Sequence, residues 1–410
     1  MKQSVIYANI IDATGRDVIE NGMVVIEEKR LVYVGEAEKN YPLAEDAAVY
    51  DYKNDYVMPG LIEAHSHLAG YGSGNTLDWV VRPVVEKVCQ AVHDLEALLN
   101  AGFTSVRDMA GLGCRLRTAM NQGLIRGPRI MSANAAISQT CGHSDVWSDF
   151  PAEMVQEWEP SHAIADGAEQ CRWQTRNQFR QGADFIKIMT TGGIMDTASD
   201  PGLSHYTYEE IAVIVEEAKR MGTYVATHAE SNAGVYHAVK AGVTSIEHGY
   251  MTTDETIELM LEKDCIQIPT LSAMTSLMAN VDTMQPHVQA KIRQVVPRAY
   301  ESVARAHEAG VKMAVGADYL SSPTTGLYGK NGNELYELVK VGFTPMEAIM
   351  SCTRNGALLM KMSDEIGTLE AGKLADLIVV NQNPLKNIQC LSDAESVIFV
   401  MKEGNVEKEK

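Results

Sequence analysis

Residues 58–67 read Met58-Pro59-Gly60-Leu61-Ile62-Glu63-Ala64-His65-Ser66-His67. A Pro-Gly turn leads into an apolar run that ends in two histidines one residue apart. In a strand, residues i and i+2 point to the same face, so both imidazoles can reach one cation. An HxH pair by itself is commonly a surface or core feature. At the end of a strand-like run it becomes a candidate ligand pair.

Working outward, four more residues repeat this placement. Lys187 interrupts Phe185-Ile186-Lys187-Ile188-Met189, and His228 closes Tyr224-Val225-Ala226-Thr227-His228. His248 closes Thr244-Ser245-Ile246-Glu247-His248, and Asp318 follows Val315-Gly316-Ala317. Each has a bland reading. A single histidine after an apolar strand is at least as often a hydrogen-bonded core residue, and a lone aspartate at a strand end is commonly a helix cap. Together, the six match what a (β/α)8 barrel does to a metal site, delivering ligands one or two at a time to a shared C-terminal rim. A structural zinc site would instead carry short Cys/His spacings, which this chain lacks.

The surrounding pattern supports a barrel. Eight strand-like runs are expected at Tyr56–Ala64, Thr104–Arg107, Arg129–Ser132, Phe185–Met189, Tyr224–Thr227, Ser245–Glu247, Ile266–Pro269 and Met313–Gly316. Helical segments such as Thr207–Met221, Ala233–Ala241, Asp254–Asp264 and Val288–Gly310 fall between them at βα spacing. The stretch 133–180 has few strand signals and reads as a loop plus helix over the barrel mouth. Residues 1–56 alternate short β-rich runs with turns and read as an antiparallel sheet. A similar pattern returns in Leu377–Asn381 and Val397–Lys402, before a charged tail expected to fray. The expected class is therefore α/β: a TIM barrel over 57–364, with a small β-sandwich domain formed from 1–56 and 365–410.

Lys187 has two readings. A cation inside an apolar strand is costly unless paired, so it could reach a barrel carboxylate such as Asp318. Alternatively its amine reacts with carbon dioxide, giving a carbamate that bridges two metals. Without that change, a lysine among four histidines would repel the cations they are meant to bind.

Size and charge bound the function. The chain has 410 residues, 45% hydrophobic, with a formal net charge of -19. That balance argues against nucleic-acid backbones and anionic lipid as partners, and no apolar run approaches the ~20 residues of a membrane span. The seven cysteines are dispersed without a CxxC, which points to reduced thiols and a cytoplasmic setting. Met1–Tyr7 reads as a strand start rather than a signal peptide. The 21 methionines read as adaptable core and pocket filler.

These motifs resemble the amidohydrolase superfamily, in its binuclear metal branch, and within it the imidazolonepropionase-like and Xaa-Pro dipeptidase-like group. The match includes the PGLIEAHSH opening, Lys187 ahead of Gly192-Gly193, Thr227-His228-Ala229-Glu230, Ile246-Glu247-His248-Gly249 and Gly316-Ala317-Asp318. It continues into Thr344-Pro345-Met346-Glu347-Ala348 and residues 367–377, GTLEAGKLADL. The resemblance implies two divalent ions, zinc by preference, and N6-carboxylysine at Lys187. His65, His67, Lys187 and Asp318 would hold the buried ion; Lys187, His228 and His248 would hold the outer one. Asp318 would take a proton from a shared activated water and later protonate the leaving group. The resemblance also implies a small-molecule substrate and a homo-oligomer.

Cys141-Gly142-His143 looks like the Gly-Gly-His turn of that group, making His143 a candidate catalytic residue that polarises the carbonyl or holds a carboxylate; the alternative is a loop-packing histidine. Glu230 stands where many relatives have a second histidine, so specificity cannot be carried across. Arg82 could pair with a substrate carboxylate or form a surface ion pair. Tyr71, Trp79, Trp147 and Tyr319 could build an apolar pocket or pack a lid. The reaction expected is amide hydrolysis of an Xaa-Pro-like dipeptide or an N-acyl amino acid. Rivals are hydrolysis of a cyclic amide, urea or carbamate, a deaminase, and a non-catalytic scaffold. Against the deaminase, Ser231 occupies the position where such enzymes carry glutamate.

Overall fold

The structure is a computed structural model that describes residues 3–73, 79, 81–145, 150, 153, 163–195 and 199–410. Strands β1 (Gln3–Ile10), β2 (Ile19–Glu27), β3 (Arg30–Glu36) and β4 (Ala48–Pro59) open the chain. Gly60 then separates β4 from β5 (Leu61–Ser66). The run read from sequence as one strand, Tyr56–Ala64, is thus two strands in two sheets. Only glycine fits at the break, since a Cβ at Gly60 would lie 2.2 Å from Thr104 Oγ1.

The barrel continues through β6 (Phe103–Asp108), β7 (Arg129–Ser132), β8 (Ala136–Ser138), β9 (Ala163–Ile164), β10 (Ile186–Met189), β11 (Val225–Ser231), β12 (Ser245–Met251), β13 (Ile266–Ile268) and β14 (Lys312–Met313). Parallel ladders run β5-β6-β7 and β8-β10-β11-β12-β13-β14. β7 and β8 are one stave in two pieces. Asn134, with φ 66, turns the chain between them, so β7 pairs with β6 while β8 pairs with β10. β9 adds a short parallel strand to β8, giving the 133–180 stretch more strand than its sequence suggested. Closure comes from Ala64 N donating to Val315 O (2.8 Å) and Asp318 N donating to His65 O (3.0 Å). These strands are buried along their length, as expected where helices cover a parallel sheet.

Local chemistry fixes the helices that cover it. Tyr208–Arg220 starts with a capping box: Thr207 accepts from Glu210 N, while Glu210 closes back on Thr207 N. Pro345–Cys352 repeats the device with Thr344 and Glu347 and has proline in its first turn. Gly242, at φ 95, ends Asn232–Ala241 in the left-handed conformation that glycine adopts without a Cβ penalty.

Both chain ends meet in one seven-stranded sheet. It adds β15 (Leu377–Val380), β16 (Val397–Lys402) and β17 (Asn405–Glu409) in the order β17-β16-β15-β4-β1-β2-β3. The sheet is mixed rather than antiparallel throughout, because β1 and β4 run parallel. Its register jumps from Ala8↔Tyr52 to Asn9↔Tyr56. The Tyr50 and Tyr52 rings pack at a tilt against Phe399, with centroids 4.9 and 5.7 Å away. Ile6, Val24, Val57, Leu377 and Val379 are buried in the same cluster. The charged C-terminal segment is a paired strand rather than a frayed tail, since Arg126 holds Glu407 and Lys408 reaches Asn100 O.

Arg129 joins sheet and barrel. Its guanidinium binds Asp376 at 2.7 Å and Glu403 at 2.8 Å. Asp376 is buried, so Arg129→Ala would leave an uncompensated charge. A loss of about 3 kcal/mol is expected, read as a lower urea midpoint; an unchanged midpoint would rule out this clamp.

Candidate metal centre

The six residues read from sequence meet in one cavity of about 210 Å³ at the C-terminal rim of the barrel. His65 lies in β5, Lys187 in β10, His228 in β11 and His248 in β12. His67 follows β5, and Asp318 follows the last stave. Asp318 Oδ1 lies 3.5 Å from His65 Nε2 and 3.2 Å from His67 Nε2. These three form a His-His-Asp cluster whose ligand atoms all lie within 4.8 Å of one another. The His65 and His248 rings are 5.3 Å apart, and those of His228 and His248 are 4.5 Å apart.

Each imidazole has one nitrogen engaged by the protein. His65 Nδ1 donates to Glu247 Oε2 at 2.7 Å, and His67 Nδ1 to Ala110 O at 3.1 Å. His228 Nε2 donates to Gly192 O at 2.9 Å, while His248 Nδ1 lies 2.8 Å from Thr270 Oγ1. A carbonyl only accepts, so the tautomers of His67 and His228 follow directly. The lone pairs left over are Nε2 of His65 and His67 and Nδ1 of His228, joined by Nε2 of His248 when its Nδ1 donates to Thr270. Tying the distal nitrogen is how proteins orient metal-binding imidazoles.

Electrostatics favour the ligand forms. Burial holds His65 and His228 well below the usual histidine range and pushes His248 down to about 3, so all three are neutral, as coordination requires. Burial opposes the charge on Asp318, yet His65, His67 and His248 outweigh it and hold the carboxyl well below its usual range. Lys187 is buried, and its amine makes no ion pair or hydrogen bond among the described residues. Burial lowers it to about 8 against the opposing pull of Glu247 and Asp318. It does not reach Asp318, the pairing that one reading of the sequence allowed.

Backbone strain gathers at the same place. His248 (φ 77), Thr270 (φ 50) and Asp318 (φ 55) all occupy the left-handed region, which is uncommon for residues with a Cβ and frequent at functional sites. Beneath them, Glu63 accepts from His65 N at 2.8 Å, Ala317 N at 3.0 Å and Asn331 Nδ2 at 2.8 Å.

The substrate contacts read from sequence divide. His143, Tyr71, Trp79 and Glu230 line the cavity. The His143 ring packs at a tilt against His228, 4.2 Å between centroids, and Glu230 Oε1 lies 3.5 Å from His228 Nε2. Arg82 is not in the cavity wall; its guanidinium donates to the carbonyls of Gly70 and Tyr71 and so holds the loop above. Tyr319 is buried in the core, where its hydroxyl accepts from Asn333. Trp147 lies outside the described residues. Reading from sequence missed the apolar wall of Ile194, Ala273, Met274, Leu277 and Leu320. It also missed Glu247 and Arg107. Their signal was a charge set within a short strand, Phe103–Asp108 for Arg107 and Ser245–Met251 for Glu247.

Residues 56–406 match the Amidohydrolase family; the chain belongs to that family and is a hydrolase. It is 33% identical to ochratoxinase of Aspergillus niger, over 99% of this chain and 87% of that protein. A solved prolidase complexed with N-methylphosphonate-L-proline aligns over the whole of both chains with TM-score 0.92 and 31% identity. A Xaa-Pro dipeptidase with bound methionine aligns with TM-score 0.90 and 30% identity, over 99% of this chain and 100% of that one.

Gly316 shows how tightly the site is built. A Cβ there would lie 2.6 Å from His65 Cβ and 2.7 Å from the His65 backbone nitrogen. Gly316→Ala should lower stability by about 1–3 kcal/mol through overpacking. Thermal unfolding would test this, and an unchanged midpoint would contradict it.

Proposed function

We propose that this chain is a metal-dependent hydrolase of an amide bond, acting on an Xaa-Pro-like dipeptide or an N-acyl amino acid. The observation that carries the reading is the convergence of four imidazoles and an ionised aspartate, each imidazole with its distal nitrogen tied, around a buried lysine. This donor set suits two zinc-like ions. His65, His67 and Asp318 would hold one and His228 and His248 the other, with Lys187 joining them as N6-carboxylysine. Burial supports that modification. With the amine lowered to about 8, a usable fraction is unprotonated at neutral pH, which is the form that attacks carbon dioxide. Two bound cations would supply Lewis acidity, lowering the pKa of a shared water and polarising the scissile carbonyl.

The remaining steps fall to side chains. Asp318 takes the proton of the attacking water on its carboxylate and returns it to the leaving nitrogen as the C–N bond breaks. His143, in the cavity wall, holds the substrate carbonyl or carboxylate. Ile194, Met274, Leu277 and Leu320 receive the apolar part of the substrate. The similarity to a prolidase and a Xaa-Pro dipeptidase supports the dipeptide class. Seven free cysteines support a reducing setting such as the cytoplasm.

Lys187→Ala should lose bound metal and activity together. Asp318→Asn should keep the fold while turnover falls by about 10²–10⁴-fold, the usual contribution of a positioned acid–base group. Zinc-loaded protein would be assayed on a panel of dipeptides, N-acyl amino acids, lactams and aryl ureas. Full activity in Lys187→Ala would refute the bridging role, and turnover confined to lactams or ureas would refute the substrate class.

A further inference from the structure

A buried ion pair crosses the barrel beneath the histidines. Arg107 and Glu247 are both fully buried, with Nη2 2.8 Å from Oε1. Ser245 Oγ donates to that same oxygen at 2.7 Å, which leaves Oε2 for His65 Nδ1 at 2.7 Å. Arg107 is itself fixed on every side. Its Nε donates to Ala64 O at 2.6 Å, and its Nη1 donates to Ser245 Oγ at 3.1 Å and Tyr224 OH at 3.3 Å. Neither carboxylate oxygen is free to turn.

His65 therefore differs from its three neighbours, whose distal nitrogens hydrogen-bond neutral oxygens of Ala110, Gly192 and Thr270. The carboxylate nearest one of these, Glu230 Oε1, stays 3.5 Å from His228 Nε2, against 2.7 Å for Glu247 and His65. A hydrogen bond to a carboxylate is charge-assisted and about twice as strong as a neutral one. It also makes the opposite ring nitrogen a better electron donor. We propose that Glu247, held by Arg107 and Ser245, is a positioning residue that fixes His65 as an Nε2 donor. Through His65 it sets the divalent-cation affinity of the His65–His67–Asp318 cluster, while leaving the His228–His248 half largely untouched. This rests on the reading that these residues hold divalent cations.

The test is competitive zinc titration of the full-length apoprotein against a chromophoric chelator, comparing wild type, Glu247→Gln, His65→Ala and the double variant. Glutamine keeps the shape and an acceptor but removes the charge. One zinc equivalent should weaken on the order of 10- to 100-fold in Glu247→Gln, the usual effect of losing such a partner, while the other keeps its wild-type affinity. In the His65→Ala background the same substitution should add nothing, because coupling through His65 has already been removed.

Equal weakening of both equivalents, or an additive effect in the double variant, would reduce Glu247 to a structural role and overturn the proposal. Unchanged affinity in a folded Glu247→Gln would overturn it as well. Absence of zinc binding by the wild type would instead sink the metal reading beneath it. Should Glu247→Gln fail to fold, Arg107→Met/Glu247→Gln leaves no unpaired buried charge and carries the same comparison.

Discussion

Closure of the barrel between its first and last staves is the constraint on which the site depends. Asp318 can face His65 and His67 only because its own backbone amide donates to His65 O, while Ala64 N donates to Val315 O. Glu63 adds a side-chain bridge across the same seam, accepting from both His65 N and Ala317 N. Gly316 lets the two staves approach closely enough for these bonds to form. Parallel strands then deliver Lys187, His228 and His248 to the same rim, where the loops of a (β/α)8 barrel leave room for substrate.

The same seam explains why so much ionisable chemistry can be buried. Charges taken from water are costly unless paired and hydrogen-bonded. Here each group meets that condition differently. Arg107 and Glu247 neutralise one another, and His65, His228 and His248 shed their charge. Asp318 keeps its charge among three histidine rings. Glu63 is pushed up to about 8 by burial and gains hydrogen bonds instead. Lys187 alone has neither an ion pair nor a hydrogen bond among the described residues, and modification by carbon dioxide would give it a role.

Much of this was legible in the sequence because strands announce themselves. The histidines and Lys187 stood out as polar residues ending or breaking apolar runs, and a parallel barrel converts such positions into one rim. The breaks were less visible. Gly60 separates two strands where Thr104, distant in sequence, leaves no room for a side chain, and Asn134 divides the third stave through its backbone angle. Loop side chains were the hardest to read. Arg82 and Tyr71 lie 11 positions apart, yet one braces backbone and the other lines the cavity, a choice made by tertiary contacts. Arg107 and Glu247 lie far apart in the chain, so only the folded barrel reveals that they form a pair.

The central claim is that the rim residues hold two cations joined by a carboxylated Lys187. Anomalous diffraction at the zinc edge, from crystals of zinc-loaded protein, tests it most directly. Two peaks should appear, one against His65, His67 and Asp318 and the other against His228 and His248, with density extending beyond Lys187 Nζ to both. One peak alone, or two peaks flanking a bare amine, would contradict it.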